Sequence, residues 1–132
     1  MSARSQSRNR PVDTSKYRWF DDAATLAEDP EVDVFVELIG GSDGPAKFAV
    51  EEALKAGKPV VTANKALMAK HGMALAKLAE EKQVDLLFEA AVAGGIPVGR
   101  VLRDSLAGVE IKRVAGILNG TCNFLTTVFF FF

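Results

Sequence analysis

The stretch VDVFVELIGGSDGPAKFAVEEALKAGKPVVT, residues 32–62, decides the fold. Its first part, VDVFVELIGG, is a near-continuous apolar run closed by Gly40 and Gly41, the pattern of a strand buried on both faces of a parallel sheet. In the middle, SDGPAKFAVEEALKAGK offers Ser42 or Asp43 as a helix cap and sets Pro45 in the first turn. Ala46, Ala49, Val50, Ala53 and Leu54 then fall on one face, and Gly57 is the stop. The β-branched run PVVTA resumes an extended chain. Strand, helix and strand over residues 33–62 fit the roughly 30 residues of a βαβ unit, whose crossover is expected to be right-handed.

Outward from this unit, a second helix is predicted from Asn64, with Leu67, Met68, His71, Leu75, Leu78 and Ala79 on one side and Gly72 as a candidate break. VDLLFEA, residues 84–90, reads as a third strand, which places the chain in the α/β class. Upstream, YRWF reads as a short strand and DDAATLAEDP as a helical turn or two. The style changes near residue 93. GGIPVGRVLRDSLAG starts a helix at Pro97, sets Val98, Val101, Leu102 and Leu106 on one face and stops at Gly108. VEIKRVAGIL alternates as a strand does, and NGTCNFLTTV begins another helix.

With 132 residues the chain is one domain's worth or pieces of two, and 48% hydrophobic and 25% charged residues describe a globular rather than a disordered sequence. A net charge of -1 gives no electrostatic reason to expect nucleic acid. The lone Cys122 excludes an intrachain disulfide, and no apolar run approaches the ~20 residues that span a bilayer, so a cytoplasmic protein with no membrane partner is expected. The terminal VFFFF reads as an element cut short.

Three strand ends carry unusual residues: ELIGG, TANK and FEAAVAGG. Ligands of open parallel sheets bind outside the carboxyl ends of the strands, so these loops are expected to converge on one crevice. Lys65 is suited to hold a phosphate or carboxylate, or to carry a proton when desolvated; a surface lysine at a helix start is the plainer alternative. Two features weigh against the plainer one: a cation opposes the dipole there, and Asn64 already supplies a cap. Gly40 and Gly41 either admit a cofactor to the backbone or make an ordinary turn, and no G-x-G-x-x-G is present. Glu89 with nearby carbonyls suits a hard cation such as Na⁺ or Ca²⁺, against the alternative of a capped or solvated glutamate. His71 reads as a packed helix-end residue and Cys122 as a small buried hydrophobe. Arg4, Arg8 and Arg10 form a solvated basic arm or a contact for a 2′-phosphate.

Taken in order and spacing, ELIGG, AGKPVVTANKALMAKHG, FEAAVAGGIP and GILNGTCNF resemble homoserine dehydrogenase from about Ser2 to Val128. The resemblance implies a partial Rossmann-like NAD(P)-binding domain over residues 1–92. It also implies the start of an α+β catalytic and dimerisation domain over residues 93–132, and NAD(P)-dependent interconversion of L-homoserine and L-aspartate 4-semialdehyde in threonine and methionine synthesis. By position, Lys65 corresponds to the lysine at the nicotinamide and substrate, and Gly40 and Gly41 line the cofactor cleft. The same resemblance implies that Arg4 would read the 2′-phosphate of NADP and that Gly120 and Thr121 would approach the substrate. Glu89, with the carbonyls of Val92, Gly94 and Ile96, corresponds to a monovalent-cation site for Na⁺. A homodimer is implied for the full-length parent.

The family's first strand with its glycine-rich turn, and its downstream substrate segment with an essential aspartate and lysine, have no counterpart in these residues. An internal portion of the enzyme is therefore expected, with turnover by this chain alone in doubt. Two other readings remain: a non-catalytic remnant that associates through unpaired sheet edges, and a dehydrogenase of the glucose–fructose and inositol group, which ALKAGKPVV also resembles. Ala66 stands where that group has proline.

Overall fold

A computed structural model describes residues 1–94 and 96–115. The predicted helix beginning at residue 119, with Gly120, Thr121, Cys122 and the terminal phenylalanines, lies outside the described residues.

The βαβ reading holds and repeats. Strands β1 (Phe35–Glu37), β2 (Val60–Thr62) and β3 (Leu86–Leu87) form a parallel sheet in the order β1-β2-β3. They are linked by α2 (Pro45–Lys55) and α3 (Lys65–Lys82), with a short α1 (Ala23–Glu28) ahead of them. The register pairs Phe35 with Val60, Glu37 with Thr62 and Val60 with Leu86. Helix α1 is capped by Asp22, whose carboxylate accepts from Thr25 N at 3.1 Å, and packs on α2. The core gathers Phe35, Val50, Leu54, Val60, Leu67 and Leu75 with Ala27, Ala49, Ala53 and Ala79. These alanines keep the layers close, and the leucines fill the space between helices and sheet.

Several expectations are corrected. Strand β1 is buried on one face only: Phe35 and Glu37 are covered, whereas Val36 is 57% and Leu38 76% exposed. Strand residues alternate between faces, and α2 packs on the side that carries Phe35, so the apolar run divides into a covered and a bare set. Neither Ser42 nor Asp43 caps α2. The cap position is Gly44 at φ +73°, Pro45 follows as the first helical residue, and the Ser42 hydroxyl donates to Asp43 Oδ2 at 2.7 Å instead. Gly72 does not break α3, which runs through it; a Cβ there would lie 3.2 Å from Met68 Cε, so the glycine makes room for that side chain.

Strand β3 is shorter than predicted, because the chain turns into a 3₁₀ segment, Glu89–Ala91, after Phe88. YRWF contributes a single parallel bridge, Phe20 to Ser2, rather than a strand of the sheet. The helix expected from Pro97 is present as α4 (Val98–Arg100), continued by one wider π-type turn, Val101–Ser105, with none of its residues buried. Of the strand expected over VEIKRVAGIL, residues 116–118 lie outside the described residues; residues 109–115 form no strand, and Val109, Ile111 and Val114 are exposed. An alternating segment needs a neighbour to take its N–H and C=O groups, and the described residues offer it none. Among the described residues, no helix is long and apolar enough to cross a membrane.

Candidate functional site

The carboxyl ends of β1 and β2 are joined by a buried polar network that begins with Glu37, 0% exposed. Its Oε1 accepts from the backbone N–H of Ile39 at 2.6 Å and of Gly40 at 3.0 Å, and its Oε2 accepts from the Thr62 hydroxyl at 2.5 Å. Thr62 Oγ1 accepts in turn from Asn64 N at 3.0 Å. Burying a carboxylate is costly unless donors surround it, and the turn and the neighbouring strand supply them. Asn64 completes the unit from the β2–α3 junction. Its Oδ1 caps α3 by accepting from Leu67 N at 3.1 Å, while its Nδ2 donates to the Gly41 carbonyl at 2.7 Å and reaches Glu37 Oε1 at 3.5 Å. One amide thus ends a loop, starts a helix and fastens both to the adjacent turn.

This unit fixes the two features that the sequence singled out. Gly40 and Gly41 adopt φ +85° and +82°, a conformation that favours glycine, and nothing lies within 4 Å of where a Cβ on Gly40 would stand. The turn therefore offers open, side-chain-free backbone, which fits the close approach of a flat or sugar-like ligand. Lys65 is the first residue of α3, one position past the cap. It is exposed and makes no ion pair among the described residues, so the desolvation expected of a proton carrier is absent here.

A second tie holds the same loop. Asp43 takes Lys70 Nζ at 2.6 Å on Oδ2 and lies 3.0 Å from His71 Nε2 through Oδ1, linking the β1–α2 connection to α3. Hydrogen bonds from Lys70, then Ser42 and His71, hold its carboxyl well below the usual carboxylate range. His71 is therefore a mid-helix residue turned to a carboxylate, not the helix-end residue predicted.

The third junction is arranged differently. Glu89 Oε1 accepts from Arg100 N at 3.2 Å, and Oε2 would lie 3.1 Å from a Cβ on Gly99, so this carboxylate faces the start of α4. It borders a hollow lined by Val61, Leu87, Phe88, Ala90, Arg100 and Arg103; Lys65, Gly40 and Gly41 do not line it. Of the four expected cation ligands, Glu89 Oε1 and the Ile96 carbonyl already accept N–H groups, from Arg100 and Val98. The Val92 and Gly94 carbonyls flank Ala93, whose φ of +54° bends the loop. One carboxylate and three carbonyls are the donor types a hard cation takes. Among the described residues no cluster of His, Cys, Asp and Glu suits a transition metal.

At the amino end, Arg4 is exposed beside the Ser2–Phe20 bridge. Arg10 is not a loose arm. It donates to the carbonyls of Ser5, Gln6 and Arg8 and stacks over Trp19 at 5.3 Å.

Sequence reasoning missed Glu37, Thr62 and Asp43. Glu37 had a usable signal, a charged residue inside an apolar run with a threonine and an asparagine at the end of the next strand. Asp43 had none, because its partners on α3 are 27 and 28 residues away.

Residues 2–89 match the family profile described as homoserine dehydrogenase, NAD binding domain, and residues 97–130 match the profile described as homoserine dehydrogenase. The chain is similar to the homoserine dehydrogenase of Corynebacterium glutamicum, at 58% identity over 80% of this chain and 23% of that protein. It also resembles the crystal structure of a homoserine dehydrogenase from Thiobacillus denitrificans, at 48% identity and TM-score 0.71, over 80% of this chain and 24% of that one. A hyperthermophilic archaeal homoserine dehydrogenase in complex with NADPH aligns at 29% identity and TM-score 0.62, over 71% of this chain and 29% of that one. The chain spans about a quarter of the length of the curated relatives it matches. The chain therefore belongs to the homoserine dehydrogenase family, and its residues 2–89 match that family's NAD-binding domain.

Proposed function

We propose that this chain carries part of an NAD(P)-dependent dehydrogenase that interconverts L-homoserine and L-aspartate 4-semialdehyde. The observation that carries the reading is the 2.7 Å bond from Asn64 to the Gly41 carbonyl, which locks an open glycine turn beside the helix start that bears Lys65. Family membership supplies the chemistry: the nicotinamide, when bound, exchanges a hydride with the carbon of the substrate's side-chain oxygen. The chain's own contribution is to orient and bind. Gly40 and Gly41 admit the nicotinamide end, and Lys65 faces the substrate oxygen, where it holds charge and exchanges a proton. Bound nicotinamide and substrate would cover the exposed lysine and desolvate it.

The finer assignments follow the same reading. Residues 1–92 form the nucleotide-binding part and residues 93–132 the beginning of the catalytic and dimerisation part of a cytoplasmic homodimeric enzyme. Arg4 contacts the 2′-phosphate of NADP, and Gly120 and Thr121 contact the substrate. Glu89 with the carbonyls of Val92, Gly94 and Ile96 holds Na⁺; the Ile96 carbonyl, which accepts from Val98 N, keeps a second lone pair for the ion. A second reading, a binding or self-associating piece without turnover, is favoured by the bare apolar face at Val34, Val36 and Leu38.

Titration of the chain with NADPH, followed by nicotinamide fluorescence, tests the proposal. Saturable binding that weakens in Lys65→Ala supports it, and absence of saturable binding overturns it.

A further inference from the structure

The loop after β1 is held in two places and by two kinds of bond. Its inner half is held from below: Glu37 Oε1 accepts from Ile39 N and Gly40 N, and Asn64 Nδ2 donates to the Gly41 carbonyl. Beyond Gly41 the hold changes. Gly41 at φ +82° and Gly44 at φ +73° flank Ser42 and Asp43, so this segment sits between two residues whose backbones turn at little cost. Among the described residues, Asp43 makes the only side-chain bonds from the segment to another element. Its Oδ2 accepts from Lys70 Nζ at 2.6 Å, and its Oδ1 lies 3.0 Å from His71 Nε2, a bond open to neutral and protonated imidazole alike. The Ser42 hydroxyl donates to Oδ2 at 2.7 Å and steadies the carboxylate from its own side. These donors hold the Asp43 carboxyl well below the usual range, so the group is ionised at neutral pH.

We infer that Asp43 is a positioning residue for the cofactor. By latching onto Lys70 and His71 it draws the Ser42–Asp43 segment toward α3 and keeps it off the glycine turn, where nothing lies within 4 Å of a Cβ on Gly40. Released, the segment would swing about Gly41 and Gly44 and cover the turn part of the time. Asp43 touches no ligand itself. An exposed ion pair adds little to global stability, so the consequence falls on where the segment lies rather than on unfolding. The inference rests on the reading that a nicotinamide cofactor lies against Gly40 and Gly41.

The test is NADPH titration, followed by nicotinamide fluorescence, of the chain, of Asp43→Asn, and of the exchange Asp43→Lys with Lys70→Asp. Far-UV circular dichroism and thermal unfolding are controls of folding. Charge and position pull in opposite directions here. NADPH is an anion, so loss of a nearby carboxylate would by charge alone tighten binding. If Asp43 positions the segment, Asp43→Asn binds about five-fold more weakly, the bias that an exposed ion pair gives to such an equilibrium. The exchanged pair rebuilds the link with reversed polarity and returns the affinity to within about two-fold of the native value. Unchanged or tighter binding by Asp43→Asn, or an exchanged pair as weak as the single variant, overturns the inference and leaves the cofactor reading intact. A native chain that binds no NADPH overturns both.

A second readout needs no ligand. Amide order parameters of Ser42 and Asp43 should be about 0.85 in the native chain and fall below about 0.6 in Asp43→Asn, with β1 and β2 unchanged. Equal order in the two proteins overturns the inference. If Asp43→Asn does not fold, Lys70→Gln with His71→Gln removes the same link from the α3 side and is judged by the same order parameters.

Discussion

Replacing Asn64 by alanine removes two different contributions at once, and they can be separated. The cap bond from Leu67 N to Oδ1, at 3.1 Å, closes the first turn of an 18-residue helix; losing such a cap costs about 1 kcal/mol. The buried Nδ2 bond to the Gly41 carbonyl, at 2.7 Å, contributes about another 1 kcal/mol, whereas the 3.5 Å approach to Glu37 lies at the limit of a hydrogen bond and adds little. Asn64→Ala should therefore lose about 2 kcal/mol, a drop of about 1 M in the urea midpoint at the slopes usual for small proteins. Asn64→Asp is the discriminating variant. It keeps the cap and suits the helix dipole, but it replaces the donor with a carboxylate oxygen facing the Gly41 carbonyl and the Glu37 carboxylate. If Asn64 is a bridge, the aspartate variant is destabilised at pH 7 at least as much as the alanine variant. An Asn64→Asp protein as stable as the original, or an Asn64→Ala loss below about 0.5 kcal/mol, would refute the bridge and reduce Asn64 to an ordinary cap.

Leu54, fully buried between α2 and the sheet, should cost about 3 kcal/mol when cut to alanine, measured by urea unfolding. Gly40→Val forces a β-branched residue to φ +85° and places side-chain atoms over the open turn, so NADPH binding should be lost; unchanged binding would remove that turn from the cleft. Asp43 has a folded pKa depressed below its unfolded value near ~3.9, so its share of stability is present above that pH and is lost as the pH falls toward the depressed value. Asp43→Asn should accordingly flatten the acid side of the stability profile below about pH 4, read from urea midpoints across that range.

The βαβ plan was legible because three independent signals agreed over residues 33–62: a β-branched run, a Pro-started amphipathic stretch and a glycine stop. Asn64 as the cap was legible for the same local reason. What escaped the sequence is set by contacts between distant residues. The run around Phe35 does not reveal which face a helix covers, so two-faced burial was expected where alternate residues are bare. Asp43 looks like a cap until Lys70 and His71 compete for it from α3. Residues 109–115 carry a strand's alternation, but pattern alone cannot supply the partner strand that makes one. Glu37 was the exception: a carboxylate inside an apolar run, with Thr62 and Asn64 at the end of the next strand, was a signal that local pattern reading passed over.

The central claim is that the ends of β1 and β2 act as one nicotinamide-facing unit, and amide chemical-shift mapping during an NADPH titration tests it most directly. The account predicts the largest shifts at Gly40, Gly41, Asn64 and Lys65, moving together along one saturation curve. Shifts confined to the arginine-rich segment around Arg8, Arg10 and Trp19, or junctions that respond with different midpoints, would contradict it.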